Sequence, residues 1–465
     1  MAEYYDPIEV VLPTGHPWDQ TNYPLGTVTI TRTPGGQWIG NCAITKASLF
    51  PDLATWAKIY VSITGNDTTG TGTALAPFRT IRKAIQTANT SAVRNVISVS
   101  AGFYSRASLP QTTTLDVPMV FVATGGRVVV GTFDTSGVTF AVDGTQTNTY
   151  SASFSSTPAR VFDTSRKTRF GSYVEMTQVS SAARCNITPN SWFWGSSILY
   201  VNRYDGTAPT IGSTEATSNT LALRSLLGMH FQQTTQRTVF FCGEDAQSGF
   251  DLYGGSQGAL RVSFSTSTSG TRVIVGAENC SMRYAGSPSS LANNASIESV
   301  NGITFFNQCD ASSSISDGFN FHNVNSAVNG MYTLTQNSSA ADCGRAGSLS
   351  NNGHTGHENV IGIDLAGKYT GNHGGTVHWI DTSKIWAAGT LATESLGDII
   401  RGGAFPPVEF RVSGTALMHL DLCEPKPFTQ ADRALLASGG EIRLRRMPVL
   451  TGAQAISGTG VITTY

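Results

Sequence analysis

Five of the eight histidines in this chain of 465 residues fall between His322 and His378, interleaved with acids and a few cations. The segments that carry them are DGFNFH (Asp317 to His322), ADCGR (Ala341 to Arg345), NNGHTGHENV (Asn351 to Val360), IDLAGKY (Ile363 to Tyr369), GNHGGTVHW (Gly371 to Trp379) and Asp381. Hydrolysis of a glycosidic bond needs one acid at the leaving oxygen and a second carboxylate to activate water or attack the sugar. Asp317, Asp342, Glu358, Asp364 and Asp381 offer carboxylates for that role. Cleavage by β-elimination instead needs a cation beside a uronic carboxylate, together with a base and an acid. His322, His354, His357, Lys368 and Arg345 offer those groups, and both routes stay open.

Each of these residues also has a structural alternative. His354 and His357 stand three apart in a Gly/Asn loop with no third ligand in register, so neither a metal nor another cofactor is expected. Asp317 and Asp364 adjoin turns, where aspartates commonly accept from local backbone. His373 and His378 flank a strand and can bond turn carbonyls. A second surface is aromatic: SWFWGSSILYVNRYDG brings Trp192, Trp194, Tyr200, Arg203 and Tyr204 together. Flat rings beside hydrogen-bonding groups suit sugar faces, and Lys368, Tyr369 and His373 are further candidates for substrate contact. The alternative for the aromatic run is the packing core of an inserted hairpin.

The elements that must position these groups are β-rich. Charged residues make up 13% of the chain, while 49 glycines and dense Ser, Thr and Asn separate short β-branched and aromatic runs. Between about residues 117 and 398 the runs recur every 20 to 30 residues, a solenoid period. Stacked turns place rung-equivalent residues about 4.8 Å apart, so Asp317, Asp342 and Asp364, 25 and 22 residues apart, are expected in one column. Asn279 and Asn307, just past strand ends, are expected to be structural. An amphipathic helix is expected near 77–89, with Pro77 in its first turn and Phe78, Ile81, Ala84, Ile85 and Ala88 on one stripe. Such a helix suits the open end of a solenoid, which otherwise exposes an apolar cross-section.

The succession of a short strand, the loop GND, the helix PFRTIRKAI and the strand ISVSAGFY resembles the opening turn of pectate-lyase-like β-helix proteins and phage tailspikes. The region from Cys309 to Ala388 resembles β-helix proteins of bacteria and phages that act on surface polysaccharide. The fold expected is an all-β, right-handed, single-stranded parallel β-helix over 58–401. Residues 1–57 form an attachment or covering segment or a trailing strap, and 402–465 form a capping or oligomerisation region with a short helix at TQADRALLASGG. The resemblance implies a homotrimeric tailspike that binds and cleaves capsule, O-antigen or exopolysaccharide, joined to other virion tail proteins through its N-terminal segment. The alternative is a non-enzymatic receptor-binding fibre or spike. Carried over by position, Asp317, His322, His354, His357, Glu358 and Asp364 are its site residues.

Composition narrows the partners. The formal net charge is -1 and the Arg and Lys residues are scattered, which argues against nucleic acid. No apolar stretch reaches the roughly 20 residues of a membrane span, and MAEYYDPIEVV has no export-signal pattern. The expected location is the virion tail after synthesis in a host cytoplasm, or alternatively a bacterial outer surface. Seven widely spaced cysteines, none in a Cys-x-x-Cys pair, are expected to be buried free thiols.

Overall fold

The computed structural model describes residues 6–105, 113–132, 138–211, 220–224, 228–265, 272–287, 290–324, 330–344, 351–397, 407–429, 432–447 and 452–465. From the middle of the chain onward, one path repeats. Gly302–Asn307 lies in a first sheet and Phe319–His322 in a third. Met331–Gln336 then returns to the first, Ser339–Ala341 forms a second, and His354–Gly356 rejoins the third. Every neighbouring pair among these strands runs parallel, and successive turns of chain stack into a β-helix-like solenoid.

The register fixes the length of each turn. Gly302 pairs with Met331, Tyr332 with Ile361, Ile361 with Lys384, Lys384 with Leu417, Leu417 with Glu441 and Glu441 with Val461. Along the first sheet from Gly302 onward, one turn therefore takes between 20 and 33 residues. The stack does not stop at the expected boundary near residue 401: the parallel pairings run on through Val408–Ser413, Leu417–Asp421 and Arg433–Ser438 to Val461–Thr464. The helix expected at TQADRALLASGG is instead the strand Arg433–Ser438, paired on both sides. Neighbouring strands on both flanks outweigh the local helix propensity of Ala, Leu and Arg.

The middle strands of the first sheet are buried on both faces, which explains why runs such as VFFCG are continuously apolar rather than alternating. Their inner face joins the solenoid core with Phe241, Phe306, Ile385 and Leu420. Their outer face, with Phe240, Phe305, Leu334, Ile363 and Trp386, is covered by the N-terminal segment through Trp18, Tyr23, Ile30, Trp38 and Phe50. That segment contains a three-stranded antiparallel sheet, Ile8–Val10, Val28–Arg32 and Trp38–Asn41. It lies along the side of the stack rather than over its end. Gly40 exchanges backbone bonds with the Asn337 side chain, and a Cβ added there would sit 2.7 Å from Leu365.

The capping helix is Ile81–Thr90, with Ile81, Ala84, Ile85 and Ala88 buried at helical spacing. It starts later than Pro77. The backbone N–H of Asn66 donates to the Pro77 carbonyl, and Phe78 bridges to Val61 as extended chain. The GND loop anchors the start of this helix. Its Asp67 accepts from the backbone of Arg79 and Thr80 and from the Thr80 hydroxyl, while Thr80 caps the helix by accepting from Lys83 N–H at 3.1 Å.

Corners are built by left-handed residues, one per turn. After the first sheet they are Asn279, Gln308, Asn337, Ala366, Gly389, Leu422 and Arg446. Small residues beside them face inward. Cys280, Cys309, Ser338 and Cys423 each donate to the carbonyl two residues back, so these cysteines are buried free thiols holding a corner. Cys42 departs from the expected burial: it is free but only half-buried, under the N-terminal segment. Asn279 donates to the Ala246 and Ser248 carbonyls and Asn307 to Glu278, a structural use. Between the strand Met119–Thr132 and the strand Val239–Gly243 an insertion forms its own largely antiparallel sheet. It docks where the second sheet turns toward the third: Arg160 donates to the Ser313 carbonyl at 2.7 Å, and Phe162 packs on Tyr284.

Candidate active site

Alternate residues of a strand share a face. On the third sheet the inward rows are apolar and the outward row is polar. His230, Arg261, Ser296, Asn320, Thr355, His378 and Arg411 stand opposite one another on seven successive strands. The row spans about 24 Å from Arg261 to Arg411 at strand spacing, but only these two arginines are part-exposed, while His230, Ser296, Asn320, Thr355 and His378 are buried. A second outward row carries Ser263, Glu298 and His322. Where this sheet turns toward the first, the row ends in a cluster: His322, His357, Glu358 and Asp381.

Three turns of chain build the cluster. His322 closes the strand Phe319–His322, His357 follows His354–Gly356, and Asp381 follows Gly375–Trp379. His322 Nδ1 lies 3.2 Å from Glu358 Oε1, and the backbone N–H of Asn323 donates to Glu358 Oε2 at 2.8 Å. The His322 and His357 rings stack with centroids 3.8 Å apart. Asp381 Oδ2 accepts from the backbone N–H of Glu358 at 3.0 Å and lies 4.0 Å from His357 Nδ1. Thr382 donates twice to the Glu358 carbonyl. Glu358 and Asp381 both have positive φ, 56° and 62°, but so does a residue at most corners, which makes this the corner device and not a sign of function.

Burial alone would raise the Glu358 carboxyl; the hydrogen bond and charge of His322 and the Asn323 N–H outweigh it, and the group sits below its ordinary range. Burial, reinforced by the charge of His322, lowers His357 to about 4. Beside the cluster, Arg261 reaches Gln257 at 2.7 Å and Glu298 at 3.1 Å. These line a polar cavity of about 360 Å³ with Ser256, Asn293 and Ser296. Glu298 is the register neighbour of His322, so cavity and cluster adjoin. A larger hollow of about 770 Å³, around Arg445 and Tyr465, lies by the last strands, far along the stack from these groups.

Of the expected site residues, His322, His357 and Glu358 come together at the surface, and others do not. Asp364 faces the interior, 1% exposed, and accepts from the hydroxyls of Thr335, Tyr369 and Thr390. His354 is equally buried, between Thr335 and the Trp379 N–H. It does not pair with His357, because the two rings point to opposite sides of the strand end. Asp317 is 2% exposed and its oxygens accept from Asn320 and Asn352. Asp342 occupies a corner after the second sheet, 3.6 Å from His373. The expected column of Asp317, Asp342 and Asp364 does not form, because turns of unequal length place the three at different points around the solenoid. Arg345 lies outside the described residues.

The aromatic surface is mostly a core. Trp192 is 1% exposed and packs with Leu199 and Val201 in the insertion. Trp194 donates to the Phe154 carbonyl, and Arg203 is buried against Ser165 and Thr207. Tyr204 is half exposed under Arg166, while Tyr200 contributes to the hairpin of residues 191–202. Tyr369 is fully buried and Lys368 exposed on the second sheet. This group sits at a different corner from the histidine cluster. Arg261, Glu298 and Asn323 are not evident from the sequence, since only the true register shows them beside His322.

Residues 63–164 match a family model described as a protein of unknown function, DUF1565. That span holds the capping helix and the first turns of the stack. No curated protein matches. Among solved structures, one described as a glycoside hydrolase is similar over 88% of this chain and 96% of its own, at 10% identity and a TM-score of 0.45. The GH136 lacto-N-biosidase from Eubacterium ramulus is similar over 88% of this chain and 68% of its own, at 8% identity and a TM-score of 0.34.

Proposed function

We propose that this chain binds a bacterial surface polysaccharide at the Arg261 and Glu298 cavity and cleaves it at the adjoining His322, His357, Glu358 and Asp381 corner, as the tailspike of a bacterial virus with a right-handed β-helix body. One observation carries the reading: two imidazoles and two carboxylates from three turns of chain converge at a corner of the third sheet, beside a cavity large enough for sugar units. Both routes of glycosidic cleavage require a proton donor and a proton acceptor across the scissile bond. Glu358 fixes His322, while Asp381 lies 4.0 Å from His357 Nδ1 and anchors the Glu358 backbone. Arg261 and Glu298, next along the row, contact the flanking sugars.

Turnover and binding, measured together on host surface polysaccharide with Glu358→Gln and His322→Ala, test the reading. Each substitution is expected to lower turnover by about 10² or more, the usual weight of one proton-transfer group, while polymer binding stays within a few-fold. Unchanged turnover in both variants and in the double variant would remove the cluster from the reaction. A wild-type chain that binds polymer without cutting it would instead be a receptor-binding spike.

A further inference from the structure

We infer that the His322, His357 and Glu358 cluster is a binding site for a divalent transition-metal ion of the zinc or cobalt type. One ligand atom from each of the three side chains lies within 4.8 Å of the others. The 3.2 Å between His322 Nδ1 and Glu358 Oε1 matches an edge of a coordination polyhedron with bonds of about 2.0–2.2 Å to nitrogen and carboxylate oxygen, and the His357 ring, stacked on His322, would turn out of the stack to direct its lone pair at the same ion. Two imidazoles and one carboxylate, with a further position left to water, form a familiar donor set for such ions and a poor one for calcium, which asks for six to eight oxygens.

Two further features favour a cation over a simple side-chain contact. His357 Nε2 is buried with no hydrogen-bond partner among the described residues, while Nδ1 of the same ring faces Asp381 Oδ2 at 4.0 Å. The backbone on both sides of Glu358 is also pinned, at its N–H by Asp381 and at its carbonyl by Thr382, so the carboxylate is presented from a fixed corner. The sequence offers only His354 and His357 as a possible pair. With His354 turned inward, His322 and Glu358 join His357 to make three ligands.

The inference does not need the cleavage reading: where the ion is held these three side chains are its ligands, and the proton-transfer roles given above belong to the metal-free chain. It is tested by titrating the full metal-stripped chain with Co²⁺, read by the d–d absorption of the bound ion and by equilibrium dialysis. One Co²⁺ per chain is expected, displaced by Zn²⁺ and not by Ca²⁺. His322→Gln, His357→Gln and Glu358→Gln should each weaken binding at least tenfold with unchanged circular dichroism, whereas His373→Gln, at another corner, should bind like wild type. Absence of stoichiometric Co²⁺, or full binding retained in the three cluster variants, overturns the site. A chain that binds Co²⁺ but cuts no polymer loses only the cleavage reading; one that cuts polymer and binds no metal loses only this one.

Discussion

Asp364 and Glu358 stand six residues apart and face opposite environments. Burial raises the Asp364 carboxyl, against the hydrogen bonds of Thr335, Thr390 and Tyr369, and no solvent reaches it. It ties the first sheet to the second and reaches His354 and Trp379 through Thr335. Removing one partner of a buried polar network leaves the others unsatisfied, at roughly 1–3 kcal/mol per group. Asp364→Ala should therefore lower the denaturant midpoint by the equivalent of several such units, whereas Glu358→Gln at the surface should leave it nearly unchanged. Equal midpoints for both would contradict this division. The dense polar stretch is legible in the sequence, but the face each residue takes is not, because one residue of register exchanges inside for outside. His354 and His357 illustrate this: they straddle a strand end and point apart.

At the scale of elements, the N-terminal segment is held on the first sheet partly by a buried pair of histidines. His16 contacts His419 at 6.1 Å between ring centroids, and Lys384, Glu441, Arg443, Arg445 and Tyr465 surround the pair. Burial lowers His16 to about 3 and His419 to about 4, with the neighbouring cations adding to it and Glu441 opposing at His419. The unfolded chain binds protons near the ordinary value of 6.5, above the folded values. The pair's contribution is thus complete above that pH and is lost as pH falls toward 4. Hydrogen-exchange protection factors of residues 8–41, corrected for the fall in intrinsic amide rate, should drop on acidification from about pH 7 to 4, and His16→Phe should flatten that drop in this segment while leaving the rest of the stack as it was. Uniform exchange across the chain would contradict it. The capping helix is legible in the sequence because its stripe and caps are local, while Arg433–Ser438 is not, since its strand state depends on neighbours 20 or more residues away.

For the whole molecule, the recurring period is enough to indicate stacked turns, and the variation from 20 to 33 residues per turn hides which residues align. Insertions fall at corners, where added length does not disturb the sheets, so a constant repeat could not place the carboxylates. The tailspike reading adds an assembly: light scattering on the purified chain should give three times the mass of one chain, and a monomer at micromolar concentration would count against it. Cleavage of a polysaccharide at the histidine and carboxylate corner is checked by mass spectrometry of low-mass products after incubation with host surface polysaccharide. The account predicts repeat-unit fragments, hydrated if the bond is hydrolysed or one water lighter with an unsaturated end if it is eliminated, and their loss in Glu358→Gln. Intact polymer after incubation with the wild-type chain, or undiminished fragments from the variant, would contradict it.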